Sequence, residues 1–138
     1  MEAEPNGVHP KMEQWRQAAA GTFWDVLGCE IESATDSRVV VTLDIRPHHL
    51  NLIGIVHGGV YATLVDSAMG LLAMIAKPEA NVVTTNLHMN FVAQAREGKL
   101  LVTAEPLHIS GKSVTAQAFA RTESGTLCAF GTGTFRVV

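Results

Sequence analysis

The stretch that decides the fold runs from residue 57 to residue 76 and reads HGGVYATLVDSAMGLLAMIA. Apolar residues recur in it at steps of three and four, which is the spacing of one face of an α-helix. They are Val60, Leu64, Ala68, Leu71 and Ile75. Pro78 ends the segment, because proline removes a backbone donor and clashes with the preceding turn. The sequence therefore predicts one long helix with an apolar face.

The residues on either side of this helix alternate with the two-residue period of β-strands. The predicted strands cover 39–45 before the helix and 83–91, 99–109, 112–121 and 127–137 after it, with glycines at the turns. In the strand over 83–91, the odd-numbered residues form an apolar face and the even-numbered residues, beginning with Thr84, form a polar one. One long helix and about five to six strands predict an α+β fold, in which a curved antiparallel sheet wraps around a central helix.

A shorter helix is predicted at the N-terminus. Pro10 and Gly21 bracket residues 11–20, and these two residue types punctuate helices at these ends. We therefore expect residues 1–20 to form an N-terminal helical segment and residues 21–138 to form a single domain, a size that suits one core.

Composition excludes several classes of partner. Of the 138 residues, 47% are apolar and 17% charged, the formal net charge is −3, and no run of Lys or Arg occurs. This pattern argues against nucleic acid and membrane partners and favours a small-molecule ligand. The first residues contain no apolar stretch, and Asp66 and several glycines interrupt the longest one, so neither a signal peptide nor a membrane span is expected. Cys29 and Cys128 form no CxxC pattern, and we expect two buried thiols in a cytoplasmic protein.

The long helix carries a second stripe, of small residues around one carboxylate. The stripe consists of Gly59, Thr63, Asp66, Gly70 and Ala73. Such a stripe is typical of a surface packed against another helix or subunit, with the carboxylate solvated. The alternative is a functional carboxylate held at a subunit interface beside a ligand.

The same helix begins with His57, Gly58 and Gly59. Backbone N–H groups in a first helical turn lack intrahelical acceptors, and the helix dipole favours negative charge there. Glycines would let a carbonyl oxygen approach these donors, which is the architecture of an oxyanion hole. A tight loop-to-helix turn is the alternative interpretation of the pair.

Together, Asn51, Gly54, the His57-Gly58-Gly59 turn and Asp66, followed by Ala68 and Gly70, resemble the signature of the PaaI-like acyl-CoA thioesterases of the hotdog superfamily. The resemblance covers about residues 20–137. It implies the hotdog fold and hydrolysis of a coenzyme A thioester without any cofactor or metal.

The resemblance also implies roles for single residues. Asp66 would be the nucleophile or general base, and the Gly58 N–H would be the oxyanion donor. Asn51 would orient water or the thioester, Thr84 would hold water, and His57 would have a structural or polarising role. The implied coenzyme A contacts are Gly59, Phe91, Arg96, Ser110, Gly111, Lys112 and Ser113. The resemblance further implies a homodimer, and a tetramer built from two dimers, with Asp66 of one subunit acting on a thioester bound mostly by the other.

Several alternatives remain open at this point. Lys112 fits an exposed hairpin lysine as well as a phosphate contact; a nucleotide P-loop is excluded because Pro106 occupies the position of its first glycine. No cysteine or carboxylate near His48, His49 and His57 completes a metal-site spacing. A non-catalytic acyl-CoA sensor and an enoyl-CoA hydratase on the same fold are the competing functions. The acyl group is undefined, with an expected pocket of Phe23, Trp24, Leu52, Ile53 and Met69 that suits aryl and aliphatic chains equally.

Overall fold

The computed structural model describes residues 7–138. Its elements along the chain are α1 (Met12–Ala19), α2 (Phe23–Leu27), β1 (Glu30–Ala34), β2 (Val39–Asp44), a 3₁₀ turn (Pro47–His49), α3 (Gly58–Ala76), β3 (Val82–Phe91), β4 (Lys99–Ile109), β5 (Ser113–Thr122) and β6 (Leu127–Val137). The predicted long helix and the predicted strands are therefore present. The division of the chain at residue 20 stays a prediction.

The six strands form one antiparallel sheet in the order β1-β2-β4-β5-β6-β3. The helix α3 packs against β2, β3, β4, β5 and β6, so the sheet wraps around it. This is the hotdog fold that the resemblance implies. Within residues 7–138, β1 and β3 are the two edges of the sheet, and β3 pairs with β6 alone.

The core lies between α3 and the concave face of the sheet. Val60, Leu64 and Ala68 of the predicted apolar stripe are buried in it, together with alternate residues of β4 and β5. Alanines on β5 and glycines on β6 let the sheet approach the helix closely, because they add little or no side-chain volume. Cys29 and Cys128 are both buried and unpaired, as predicted. Burial raises the pKa of the Cys29 thiol to about 12.

The length and composition of α3 would allow it to cross a membrane. Its buried residues, however, pack into the concave face of the sheet, so α3 is the core helix of the domain. This packing explains why a 19-residue segment of the chain is so apolar.

Two elements were missed by the sequence analysis, namely α2 and β1. The helix α2 has only five residues and ends at Gly28, whose left-handed conformation forms the C-cap. β1 also has five residues, with a bulge between Ile31 and Ser33 that breaks its alternation. Elements this short give too few periods to be recognised from sequence.

The predicted faces of β3 are correct beyond a bulge, where Met89 packs against the core, and wrong before it. The pairing of β3 with β6 shifts register between Thr84 and Asn86. The extra residue reverses the alternation, so Thr84 points towards α3, as Met89 does further along. Val83, which the two-residue period places on the apolar core face, is 45% exposed.

Candidate functional site

The first turn of α3 has one backbone donor that is occupied and one that is free. The N–H of Gly59 donates to Nδ1 of His57 at 2.8 Å, so the histidine caps its own helix. This bond requires an unprotonated Nδ1 and leaves the ring proton on Nε2. Within residues 7–138 the N–H of Gly58 has no acceptor. Gly58 thus keeps the free donor predicted for it, whereas the N–H of Gly59, a predicted coenzyme A contact, is used inside the chain.

Asn51 shapes the loop that precedes the helix. Its Oδ1 accepts hydrogen bonds from the N–H groups of Ile53 at 3.1 Å and Ile55 at 3.2 Å. Gly54 turns the loop with a φ of +78°, and its carbonyl accepts from Nη1 of Arg96 at 3.3 Å. The carbonyl half of the Asn51 amide is therefore structural, and only its NH₂ group remains for a ligand.

A cavity of about 330 Å³ opens at this helix end. Asn51, Gly58, Tyr61 and Phe91 line it together with residues 92–94. A Cβ atom on Gly58 would lie 3.3 Å from the Phe91 ring, a tight contact. The glycine therefore keeps both the free N–H and the space in front of it accessible. His57 lines a neighbouring cavity with Asn51, Leu52 and Ile53.

Asp66 lies in the middle of α3, hydrogen-bonded to β3. Thr84 Oγ1 donates to Asp66 Oδ1 at 2.8 Å, and this bond depends on the β3 bulge. The carboxylate is partly exposed and lines a cavity of about 250 Å³ with Trp24, Gly70 and Phe135. Because Asp66 Oδ2 accepts no hydrogen bond from the described residues, it is available to water or to a ligand.

The structure does not bring the carboxylate and the free N–H together within one chain. Asp66 lies eight residues beyond Gly58, so the two are about 12 Å apart along the helix axis. Their cavities have no lining residue in common. A thioester carbonyl can contact both groups only if they come from different copies of the chain.

The predicted coenzyme A contacts are also divided. Phe91 and Arg96 lie near the N-terminal end of α3. The turn formed by residues 110–113 lies at the opposite end, where Lys77 Nζ donates to the carbonyls of Ser110 and Gly111. Ser110 Oγ and Ser113 Oγ hydrogen-bond to each other at 2.8 Å, and Lys112 is exposed. These residues therefore do not form one binding surface on a single chain.

The residues expected to form the acyl pocket do not line one cavity on a single chain. Phe23, Leu52 and Ile53 are 66%, 106% and 70% exposed, whereas Met69 is fully buried in the core. Of the five residues, only Trp24 lines the cavity at Asp66. Phe23 and Trp24 are neighbours on one turn of α2, so they point in different directions, which sequence proximity does not reveal.

Tyr61 was missed by the sequence analysis. It lines the cavity at Gly58 and is only 3% exposed. Burial, and the Cys128 thiol beside it, raise the pKa of its hydroxyl. Its position four residues after His57 places it on the same helix face, which is the one signal that could have indicated it.

Comparisons with known proteins identify the family and the fold. The family model described as Thioesterase superfamily matches residues 53–129. A proposed esterase of Halobacterium salinarum is 33% identical over 126 residues, which cover 80% of this chain and 81% of that protein. Human acyl-coenzyme A thioesterase 13 is 28% identical over 108 residues, 78% of this chain and 77% of its own length. A mutant of the phenylacetic acid degradation protein PaaI from Thermus thermophilus superposes with a TM-score of 0.77 at 26% identity, covering 84% of this chain and 98% of that one.

Proposed function

This chain belongs to the thioesterase superfamily, and from that premise we propose that it hydrolyses acyl-coenzyme A at a site built from two copies of the chain. The observation that carries the proposal is the separation of two complementary groups on α3. Asp66 supplies a carboxylate with a free oxygen, and Gly58 supplies a free N–H in an open cavity. Together at one carbonyl, a general base and an oxyanion donor would accelerate hydrolysis of a thioester.

The exposed edge of the sheet supports assembly from two copies. β3 is ten residues long, pairs on one side only among the strands that the structure describes, and exposes Val83, Leu87 and Phe91. An unpaired edge of this kind is a template for another strand. Antiparallel pairing of two β3 strands would set two α3 helices antiparallel, and the small-residue stripe would let Gly58 of one copy approach Asp66 of the other.

The chemistry follows from these positions. Acting as general base, Asp66 takes a proton from water while the water oxygen bonds to the thioester carbon. The carbonyl oxygen becomes an oxyanion that accepts a hydrogen bond from the Gly58 N–H. Collapse of this tetrahedral intermediate re-forms the carbonyl and breaks the C–S bond. The thiolate of coenzyme A leaves and is protonated, and the acid is released. Acting as nucleophile, Asp66 would expel the thiolate first and form an anhydride that water then hydrolyses. In either route, Thr84 orients the carboxylate.

The test compares the wild type with Asp66→Asn, which keeps the shape of the side chain. Thiol release is measured from benzoyl-, phenylacetyl-, hexanoyl- and decanoyl-CoA. We expect kcat to fall by about a hundredfold or more, because the variant removes the base or nucleophile. Asp36→Asn is the matched control, because Asp36 lies in an exposed turn far from α3 along the chain, and it should retain full activity.

Three results would contradict the proposal. Full activity of Asp66→Asn would move the chemistry to another residue. Binding of acyl-CoA by the wild type without turnover would favour the sensor. Loss of an enoyl-CoA without thiol release would favour the hydratase.

A further inference from the structure

A second cavity continues directly from the one at Asp66. It has a volume of about 280 Å³ and lies between α3 and the two N-terminal helices. Trp24, Leu71 and Met74 line both cavities, so the two join into one groove. We call this space the α3 groove. It begins at the Asp66 carboxylate and runs along α3 towards its C-terminal end.

The walls of the α3 groove are apolar. Trp15 and Ala18 of α1 form one wall, Trp24 of α2 another, and Leu71 and Met74 of α3 lie opposite. Among the described residues that line the second cavity, the polar groups are the Thr22 hydroxyl, which donates to the Ala19 carbonyl at 2.6 Å, and the indole N–H groups of Trp15 and Trp24. The rest of the lining is apolar, and no charged side chain lies at the centre of the groove, so it suits a hydrocarbon.

The apolar part of the groove has a defined length. Asp66 and Met74 are eight residues apart, so this part extends about 12 Å along the helix axis. Beyond Met74 the space continues into a third cavity, which shares Trp15, Ala18 and Met74 with the groove. Polar side chains first join the lining there, namely those of His9, Lys11, Gln14 and Asn81. An extended polypeptide advances about 1.2 Å per backbone bond, and an extended hydrocarbon chain is similar. About ten carbon–carbon bonds therefore fit before the polar side chains begin.

We propose that the α3 groove binds the acyl chain of the substrate, and that α1 and α2 set a preference for unbranched chains of about eight to ten carbons. This inference rests on the proposed function. With the thioester carbon at Asp66, the substituent on the side away from sulfur enters the groove. The coenzyme A moiety, which is polar, leaves in the other direction.

Ala18 gives the sharpest test of this assignment. It is an exposed residue of α1 whose small side chain lines the groove, so Ala18→Phe places a ring in the path of the chain. Gln17→Phe adds the same ring one residue earlier, at a position that lines none of the cavities at the groove. It is the matched control for the effect of an added ring on the stability and solubility of α1.

The first measurement is kcat/KM across butanoyl-, hexanoyl-, octanoyl-, decanoyl- and tetradecanoyl-CoA. Each buried methylene strengthens binding about fourfold, so the wild type should improve steeply up to decanoyl-CoA and no further. The ratio of kcat/KM for decanoyl-CoA to that for butanoyl-CoA should fall about tenfold or more in Ala18→Phe and stay unchanged in Gln17→Phe.

The second measurement uses tryptophan fluorescence. Trp15 and Trp24 are the only tryptophans of the chain, and both line the groove. Decanoate should change the emission of the wild type in a saturable way, with a Kd raised about tenfold by Ala18→Phe.

The outcomes separate the two proposals. Hydrolysis of acyl-CoA with the same chain-length profile in Ala18→Phe and the wild type would overturn the groove assignment and leave the enzyme. Hydrolysis of no ester would overturn the proposed function, whatever decanoate does. A wild-type optimum at aryl or butanoyl esters would also overturn the groove assignment.

Discussion

His49 is a buried histidine that joins the loop before α3 to the end of α2. Its Nε2 donates to the Leu27 carbonyl at 2.7 Å, and its Nδ1 accepts from the N–H of Arg46 at 2.9 Å. Both bonds together require the neutral ring. Burial is the main cause that lowers its pKa from 6.5, and the charges of nearby Arg46 and His48 act in the same direction.

The pH dependence of stability follows from this lowered pKa. The unfolded chain takes up a proton at about 6.5 and the folded chain only at lower pH, so the free energy of unfolding falls as pH drops below 6.5. In urea denaturation, the free energy of unfolding should fall less between pH 7.5 and pH 5.5 in His49→Gln than in the wild type. His108→Gln, at an exposed position of β4 whose charge does not act on His49, should behave as the wild type does. His9, whose pKa burial also lowers, leaves a residual dependence. An equal fall in the free energy of unfolding in all three proteins would contradict the role of His49.

At the scale of elements, β6 depends on glycine where it meets β3. A Cβ atom on Gly131 would lie 2.5 Å from the His88 carbonyl oxygen and 2.7 Å from Met89 Sδ. Backbone cannot yield as a flexible side chain does, so we expect Gly131→Ala to destabilise the protein by at least about 1–3 kcal/mol. Gly111→Ala, in a turn with open space, is the control. Thermal unfolding of both variants measures the difference, and equal melting temperatures would contradict the expectation.

The sequence predicted the main elements but not the direction of every side chain. The period of α3 is long and regular, so the amino-acid pattern alone locates Asp66 and the His57-Gly58-Gly59 turn on the helix. The two-residue period put Thr84 on the face away from α3, because a single bulge at 84–86 reverses the alternation of β3 and leaves no clear mark in the sequence. Only the family resemblance placed Thr84 at the site, beside Asp66. The position of Trp24 beside the Asp66 cavity could not be predicted from the sequence either, since it depends on packing between two short helices and α3.

For the whole molecule, the 12 Å between Gly58 and Asp66 leads to a complementation experiment. Gly58→Val, which fills the cavity at the free N–H, and Asp66→Asn should each be inactive. Co-expressed in equal amounts, they should regain about a quarter of wild-type activity, because half of the dimers are mixed and each mixed dimer has one intact site of two.

Two controls make this experiment decisive. Separately tagged chains establish that mixed dimers form, and circular dichroism establishes that Gly58→Val folds. Mixed dimers without activity would contradict a shared site. Activity of either variant alone would show that its residue is not needed for turnover.

The two buried cysteines have a practical consequence for measuring this protein. Cys29, with its pKa raised to about 12, forms almost no thiolate at neutral pH, and Cys128 is fully enclosed. The folded chain should therefore leave a thiol-reactive disulfide dye unconsumed, so released coenzyme A is read without a protein background. When the chain unfolds, both thiols become reactive, and the same dye then counts denatured molecules at two equivalents each.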